Sequence, residues 1–298
     1  MKTCFKWQGN KSKHLKYLTT EIPSDFNTYI EPFVGSGALF LRLEPTKWII
    51  NDRNKHNVKM WKLIKCNPSK IKKEFLKFKQ IFVPKNKKEK LLYCREKTNE
   101  LNNRHVNSDT IINYLLMTYC SFMGHILFSN KFYFRTLEMN IFSKNKYFFL
   151  EDAYFKNLFQ VSKFLKRTRG RILNEDYTTV LNMAKKNDFV FMDPPYIEDH
   201  DYGFKYNRGE RLDKSFTEKL VKECKKLDKR GVQWMMTQAD TVHNRETFRD
   251  YHITQYPVYR PGNKVFKNEL VIRNYSKCCR CCFYNCISVN INTTRTTV

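Results

Sequence analysis

The sequence predicts an α/β fold in which one open-sheet core is interrupted by a helical, basic insertion. Three observations carry this. The first 60 residues alternate strand-like and helix-like stretches around Gly35-Ser36-Gly37. Residues from about 68 to 120 then place apolar side chains three and four apart, the helical period. After about residue 150 the α/β alternation returns and runs to Tyr275.

In chain order, TYIEPFV reads as a strand, GSG as a tight turn and ALFLRL as the start of a helix. KWIIND is a second strand, followed by the helical stretch NKHNVKMWKLI. Three further helices are expected in IKKEFLKFKQIF, KEKLLYCREKTNEL and DTIINYLLMTYCSF. Residues 122–149 are aromatic and irregular and read as a hairpin with loops. YFKNLFQVSKFLKRT is helical, RILNEDY and DFVFMD are strand-like, and SFTEKLVKECKKLDKRG is an amphipathic helix closed by Gly231. VQWMMTQAD, HITQYPVY and ELVIRNY complete the set as strands.

At 298 residues and 41% hydrophobic, the chain is large enough to bury a proper core. Its 55 Lys and Arg against 29 Asp and Glu leave a net charge of +26, which points to a polyanionic partner. Thirteen basic and only three acidic residues fall between Lys62 and Lys97. Abundant Phe and Tyr beside this charge suit phosphate contact combined with base stacking. No apolar run approaches the roughly 18 residues of a membrane span, and MKTCFKWQGNK lacks the apolar stretch of a signal peptide. A cytoplasmic location is expected, with no membrane partner. Five dispersed cysteines fit a reducing compartment. The other five crowd into CCRCCFYNC, where the spacing is wrong for a closed zinc site, so no metal is expected. That tail, residues 277–298, has no periodicity and is expected to be poorly ordered.

Two motifs carry chemistry. In EPFVGSGAL, Gly35 and Gly37 lie between a strand and a helix, where the chain must turn sharply and a ligand can approach closely. The third glycine of a dinucleotide fingerprint is absent, since Phe40 stands there, and no phosphate-loop Gly-Lys-Ser/Thr follows. Asp52 ends the next strand, where a carboxylate can accept hydrogen bonds from ribose hydroxyls. This half reads as a nucleoside site. The second motif is DFVFMDPPY: an apolar strand that delivers Asp193 and is stopped by Pro194 and Pro195, with Tyr196 beyond. Ligands of open α/β sheets bind outside such carboxyl ends.

Taken together, EPFVGSG with IIND and, later, VFMDPPY resembles the Dam-type DNA adenine N6-methyltransferases. FKWQGNK at 5–11 is similar to their N-terminal motif and NELVIRNY at 268–275 to their last strand, so the resemblance spans roughly residues 3–276. It implies a Rossmann-like S-adenosylmethionine-dependent methyltransferase core, residues 1–62 and 150–276. It also implies a target-recognition domain of helices and a hairpin inserted at 63–149. The implied reaction is S-adenosylmethionine-dependent methylation of adenine N6 in double-stranded DNA, with the base flipped from the helix. Asp193 and the Pro194 carbonyl would accept from the N6 amine, Pro195 would stiffen the turn and Tyr196 would stack on the base. The cofactor set implied is Trp7, Lys11 (on the methionine carboxylate), Glu31, Phe33, Gly35, Gly37, Asp52 (on the ribose) and Asp176 (on the cofactor's adenine amine). Asn130 and Arg135 are the expected DNA contacts.

The recognition segment, FSNKFYFRTLEMNIFSKNK, departs from the family pattern. Phe128 stands where an arginine belongs, and the glycines and proline are missing, so GATC is not implied as the target. N4-cytosine or RNA methylation, and a DNA-binding relative without activity, remain open at this point. The oligomeric state is not legible. The charge makes one expectation sharp: affinity for DNA should fall steeply with salt as lysines displace condensed counterions, a linear loss of log affinity against log salt. Binding isotherms over a salt series check this, and a flat series would exclude phosphate-dominated binding.

Overall fold

The computed structural model describes residues 1–103, 107–120, 151–196, 214–260 and 265–276. The expected hairpin, with Asn130 and Arg135, and the cysteine-rich tail lie outside the described residues.

Seven strands form one sheet: β1 (Tyr29–Glu31), β2 (Lys47–Asn51), β3 (Arg169–Leu173), β4 (Phe189–Met192), β5 (Gln233–Ala239), β6 (His252–Arg260) and β7 (Val265–Arg273). Their order is β3-β2-β1-β4-β5-β7-β6. The first five strands are parallel neighbours, and β7 inserts antiparallel between β5 and β6. This is the mixed α/β arrangement of a Rossmann-like core. Successive strands run outward from β1 in one direction and from β4 in the other, so the topological switch lies between these two. Their carboxyl ends therefore frame a crevice for a ligand.

Both faces of the sheet are covered, which explains why its central strands are apolar throughout instead of alternating. FVFM sends Phe189 and Phe191 into one core and Val190 and Met192 into the other. The second core is closed by helices Tyr177–Asn182 and Lys214–Lys229, through Val180, Leu220, Cys224 and Leu227. The first is closed by helices Ala38–Leu43, Lys55–Cys66 and Asp152–Arg167. Phe40, Trp61 and Phe164 meet Trp48 and Tyr29 there as an aromatic cluster. Helices Pro68–Phe82, Lys87–Asn103 and Ser108–Cys120 follow, and Phe75, Phe82, Cys94 and Leu115 extend this same core. These three helices thus share their buried face with the sheet, while Lys73, Lys77, Lys79 and Lys88 face solvent.

Four elements differ from expectation. TYIEPFV ends as a strand at Glu31, because Pro32 cannot continue the ladder. RILNEDY leaves the sheet at Leu173, and Asp176 accepts from the Thr178 N–H to cap a short helix. Short helices at Leu15–Leu18 and Val242–Thr247 stand where no helical period was visible. Among the described residues, no helix is long and apolar enough to cross a membrane.

Gly170, on edge strand β3, lies flat against the Trp48 indole. A Cβ there would sit 1.9 Å from Trp48 Cε2. Trp48 is itself pinned by a 2.8 Å bond from its Nε1 to Thr168 Oγ1. Gly170→Ala should therefore destabilise the fold by about 1–3 kcal/mol, the cost of overpacking a fixed ring. Urea unfolding checks this, and an unchanged midpoint would show that the strand edge yields freely.

Candidate active site

The carboxyl ends of β1, β2 and β4 deliver Glu31, Asp52 and Asp193 to one edge of the sheet. Asn51, at the end of β2, ties the end of β1 to the turn after β3. Its Nδ2 donates to the Pro32 and Glu175 carbonyls at 2.9 and 3.1 Å, and its Oδ1 accepts from the Glu175 N–H at 2.8 Å. The turn after β1 closes through Val34 N–H to Asn51 O and Gly37 N–H to Val34 O.

Gly35 and Gly37 both hold positive φ, 47° and 64°, which an L side chain rarely adopts. The space above each glycine belongs to a tryptophan. A Cβ on Gly35 would meet Trp7 Cδ1 at 2.7 Å, and one on Gly37 would meet Trp61 Cζ2 at 2.7 Å. The close approach that these glycines allow is thus that of two indoles. Asp52 holds the loop from the other side. It accepts from the N–H groups of Gly35 (3.0 Å) and Asn54 (2.8 Å) and from Asn57 Nδ2 (2.9 Å). The Gly35 carbonyl accepts from Asn57 Nδ2 and Trp61 Nε1 at 2.9 and 3.0 Å. Phe33 is half-buried, with its ring 5.3 Å from Tyr177, which in turn meets Phe216. Asp176 is exposed, and its Oδ1 is engaged by the backbone and hydroxyl of Thr178.

Asp193 is held by three elements. Thr237 Oγ1, on β5, donates to its Oδ1 at 2.6 Å, and Tyr196 Oη lies 3.2 Å from the same oxygen. The Lys11 ammonium, 7% exposed, sits 2.8 Å from Oδ1 and 2.9 Å from Oδ2. Lys11 therefore faces the Asp-Pro-Pro-Tyr motif, with Gly9 O at 3.2 Å and Glu269 Oε2 of β7 at 3.8 Å. Glu269 Oε2 also receives Tyr256 Oη at 2.8 Å and lies 3.1 Å from Tyr196 Oη. Pro194 is buried, and Pro195 and Tyr196 are partly so. Lys11 Nζ stands 5.0 Å from the Tyr196 ring centroid.

The electrostatics follow from this crowding. Burial raises the Asp52 carboxyl to about 6, against the Asn54 and Gly35 N–H bonds that lower it. Burial lifts Glu31 well above the usual carboxylate range. The Tyr29 hydroxyl bond at 2.8 Å opposes this, while Asp193 and Asp52 add to it. The phenol of Tyr196 is raised by burial and then by Asp193 and Glu269, so it keeps its proton. His14, 5.2 Å from the Tyr256 ring, is lowered mainly by burial.

The structure gathers every expected site residue that it describes along this edge. Asn51, Asn57, Thr237, Tyr256 and Glu269 belong to it as well and were not anticipated. Glu269 carried the one available signal, a carboxylate inside the apolar strand ELVIRNY. Among the described residues, no three His, Cys, Asp or Glu side chains gather as a metal site requires.

The open α/β sheet carries a glycine turn after β1, a carboxylate after β2 and Asp-Pro-Pro-Tyr after β4, the layout that the resemblance to the adenine methyltransferases implies. The comparisons make this particular. Residues 7–258 match the model of the D12 class N6 adenine-specific DNA methyltransferases, and the chain belongs to that family. The "Type II methyltransferase M1.LlaDCHI" of Lactococcus lactis subsp. cremoris is 25% identical over 91% of this chain and 94% of its own. The "DNA adenine methylase" of Vibrio cholerae is 24% identical over 90% of this chain and 89% of its own. A solved precorrin 8W decarboxylase covers 91% of this chain and 94% of its own at a TM-score of 0.37 and 11% identity, too distant a likeness to bear on chemistry. The protein is an adenine-specific DNA methyltransferase. Of the readings open in the sequence, the family selects adenine N6 in DNA.

The raised Asp52 carboxyl has a measurable consequence. Its neutral form is favoured in the fold, so stability from this group is present below pH 3.8 and is lost as pH rises to about 6. In thermal unfolding, wild type should lose ground to Asp52→Asn across that window and keep a constant gap above it. Parallel curves would show that the carboxyl titrates normally.

Proposed function

We propose that the Asp-Pro-Pro-Tyr turn holds the target adenine of duplex DNA, and that S-adenosylmethionine is the methyl donor. The observation that carries this reading is Asp193 itself. It is a carboxylate 19% exposed at the topological switch, fixed by Thr237 and Lys11. The N6 lone pair of adenine is delocalised into the ring and attacks poorly. Asp193 and the Pro194 carbonyl would accept its two hydrogens and turn the lone pair toward the methyl group. Neither proline brings an N–H to compete, and Tyr196 offers a face for the base. A duplex base reaches this pocket only when flipped from the stack.

The residues around Asp52 fit the cofactor. A carboxylate at the end of β2 suits vicinal hydroxyls. The rings of Phe33 and Tyr177 suit a purine, with Asp176 beside them and Glu31, Gly35 and Gly37 shaping the turn that Trp7 backs. When bound, S-adenosylmethionine supplies a sulfonium-activated methyl group, and the chain's task is to align it with N6. Lys11 stands at the boundary of the two subsites, where a methionine carboxylate would compete with Asp193 for its three donors. We assign 1–62 and 150–276 to the catalytic core and 63–149 to target recognition through Asn130, Arg135 and the basic helices. Residues 277–298 would form a dispensable tail.

The test is transfer of labelled methyl from S-adenosylmethionine to unmethylated duplex DNA, with digestion to identify N6-methyladenine. Asp193→Ala should lower the single-turnover rate by about a hundredfold or more, while cofactor affinity by calorimetry stays close to wild type. An active Asp193→Ala enzyme would remove Asp193 from the chemistry.

A further inference from the structure

Glu269 has no part in the reading above, yet its carboxylate belongs to the same cluster. Lys11 stands between two carboxylates, 2.8 Å from Asp193 Oδ1 and 3.8 Å from Glu269 Oε2. Tyr196 Oη bridges the same pair, 3.2 Å from Asp193 Oδ1 and 3.1 Å from Glu269 Oε2. One phenol has one proton, so it can donate to only one of them at a time. A hydroxyl between two acceptors is the geometry through which a proton passes from one to the other.

We propose that Glu269 is the proton acceptor for the methyl transfer, reached from Asp193 through Tyr196. As N6 bonds to the methyl carbon, the carbon–sulfur bond breaks and its electron pair stays on sulfur. N6 then carries two hydrogens and a positive charge, and releases one proton to the Asp193 carboxylate. Asp193 passes a proton to Tyr196 Oη while the phenolic proton moves to Glu269 Oε2. Asp193 ends as carboxylate, Tyr196 as phenol and Glu269 as neutral acid, which returns its proton to water after product leaves. The phenol never needs to ionise, in keeping with its raised pKa.

The surroundings suit the role. Facing Glu269 are Lys11 and His14 from the N-terminal segment, Asp193 and Tyr196 from the turn after β4, and Tyr256 from β6. Tyr256 donates to the same oxygen at 2.8 Å and is stacked on Tyr17, so Glu269 is fixed in place. Lys11 balances two carboxylates that would otherwise repel. Its charge moves toward Glu269 when Asp193 turns to the base, and returns to Asp193 once Glu269 is neutral.

The inference rests on Asp193 contacting N6, so Asp193→Ala is measured beside the new variants. Glu269→Gln keeps an oxygen for Tyr256 and Tyr196 but cannot take a proton, whereas Glu269→Ala removes both functions. Single-turnover methylation should fall by about tenfold to a hundredfold in Glu269→Gln, as far as in Glu269→Ala, with cofactor affinity unchanged. Tyr196→Phe keeps the stacking ring and breaks the same path. The Glu269→Gln/Tyr196→Phe double variant should then be no slower than the slower single one. Wild-type rate in Glu269→Gln, with Asp193→Ala inactive, overturns the relay and spares the site. Activity in Asp193→Ala overturns the site reading on which both depend. Should Glu269→Gln lose its thermal transition, Tyr196→Phe decides: wild-type rate there overturns the relay.

Discussion

An ammonium group shut away from water must be neutralised, and that constraint organises this protein. Lys11 is nearly inaccessible, and an unpaired charge in such a place would cost several kcal/mol. Its partners come from strands that flank β5 in the sheet but are distant in the chain: Asp193 after β4 and Glu269 on β7. Each carboxylate is in turn held by a hydroxyl, Thr237 on one and Tyr256 on the other. The lysine thus fixes where the N-terminal segment must lie. That segment brings Trp7 over Gly35, and Trp7 in turn demands a glycine beneath it.

The second organising feature is the turn after β1. Two glycines with positive φ, two indoles above them and Asp52 below leave the backbone one way to go. Asn51 extends this rigidity sideways, joining the ends of β1 and β2 to the turn after β3. Three carboxyl-bearing strand ends are brought to one edge of the sheet. Their mutual repulsion is eased by the Tyr29 hydroxyl at Glu31, by backbone N–H groups at Asp52 and by Lys11 at Asp193. A site built this way is preorganised, with its polar groups oriented before any ligand arrives.

Much of this was readable in the chain. FVFM announced a strand buried on both faces, and the two prolines after Asp193 announced its end. GSG and Asp52 marked one half of the candidate site, because strand-end position and residue type suffice to place them at the sheet's carboxyl edge. What escaped reading had physical causes. Helices of four to six residues, such as Leu15–Leu18 and Tyr177–Asn182, complete too few turns for a period to emerge. RILNEDY looked like strand throughout because capping by Asp176 depends on a turn and not on hydrophobic pattern. The glycines were read as room for a ligand, whereas their occupants are tryptophans at positions 7 and 61, which only the fold brings near. Glu269 and Thr237 gained meaning from partners on other strands, and no local spacing records those.

The Lys11 cluster also bears on how the molecule forms. Its members come from the first turn of the chain, the middle of the sheet and the last described strand, so its loops are among the longest to close. Contacts of that kind form late, because the chain entropy lost in closing them must be offset by structure already in place. The strand order sharpens the point, since β7 must insert between β5 and β6 before Glu269 can reach the lysine. Until β7 docks, Lys11 lacks one of its carboxylates and both cores lack the β7 residues Leu270, Val271 and Ile272. The geometry around Lys11 is complete only with the last strand, and it reports completion of the whole sheet.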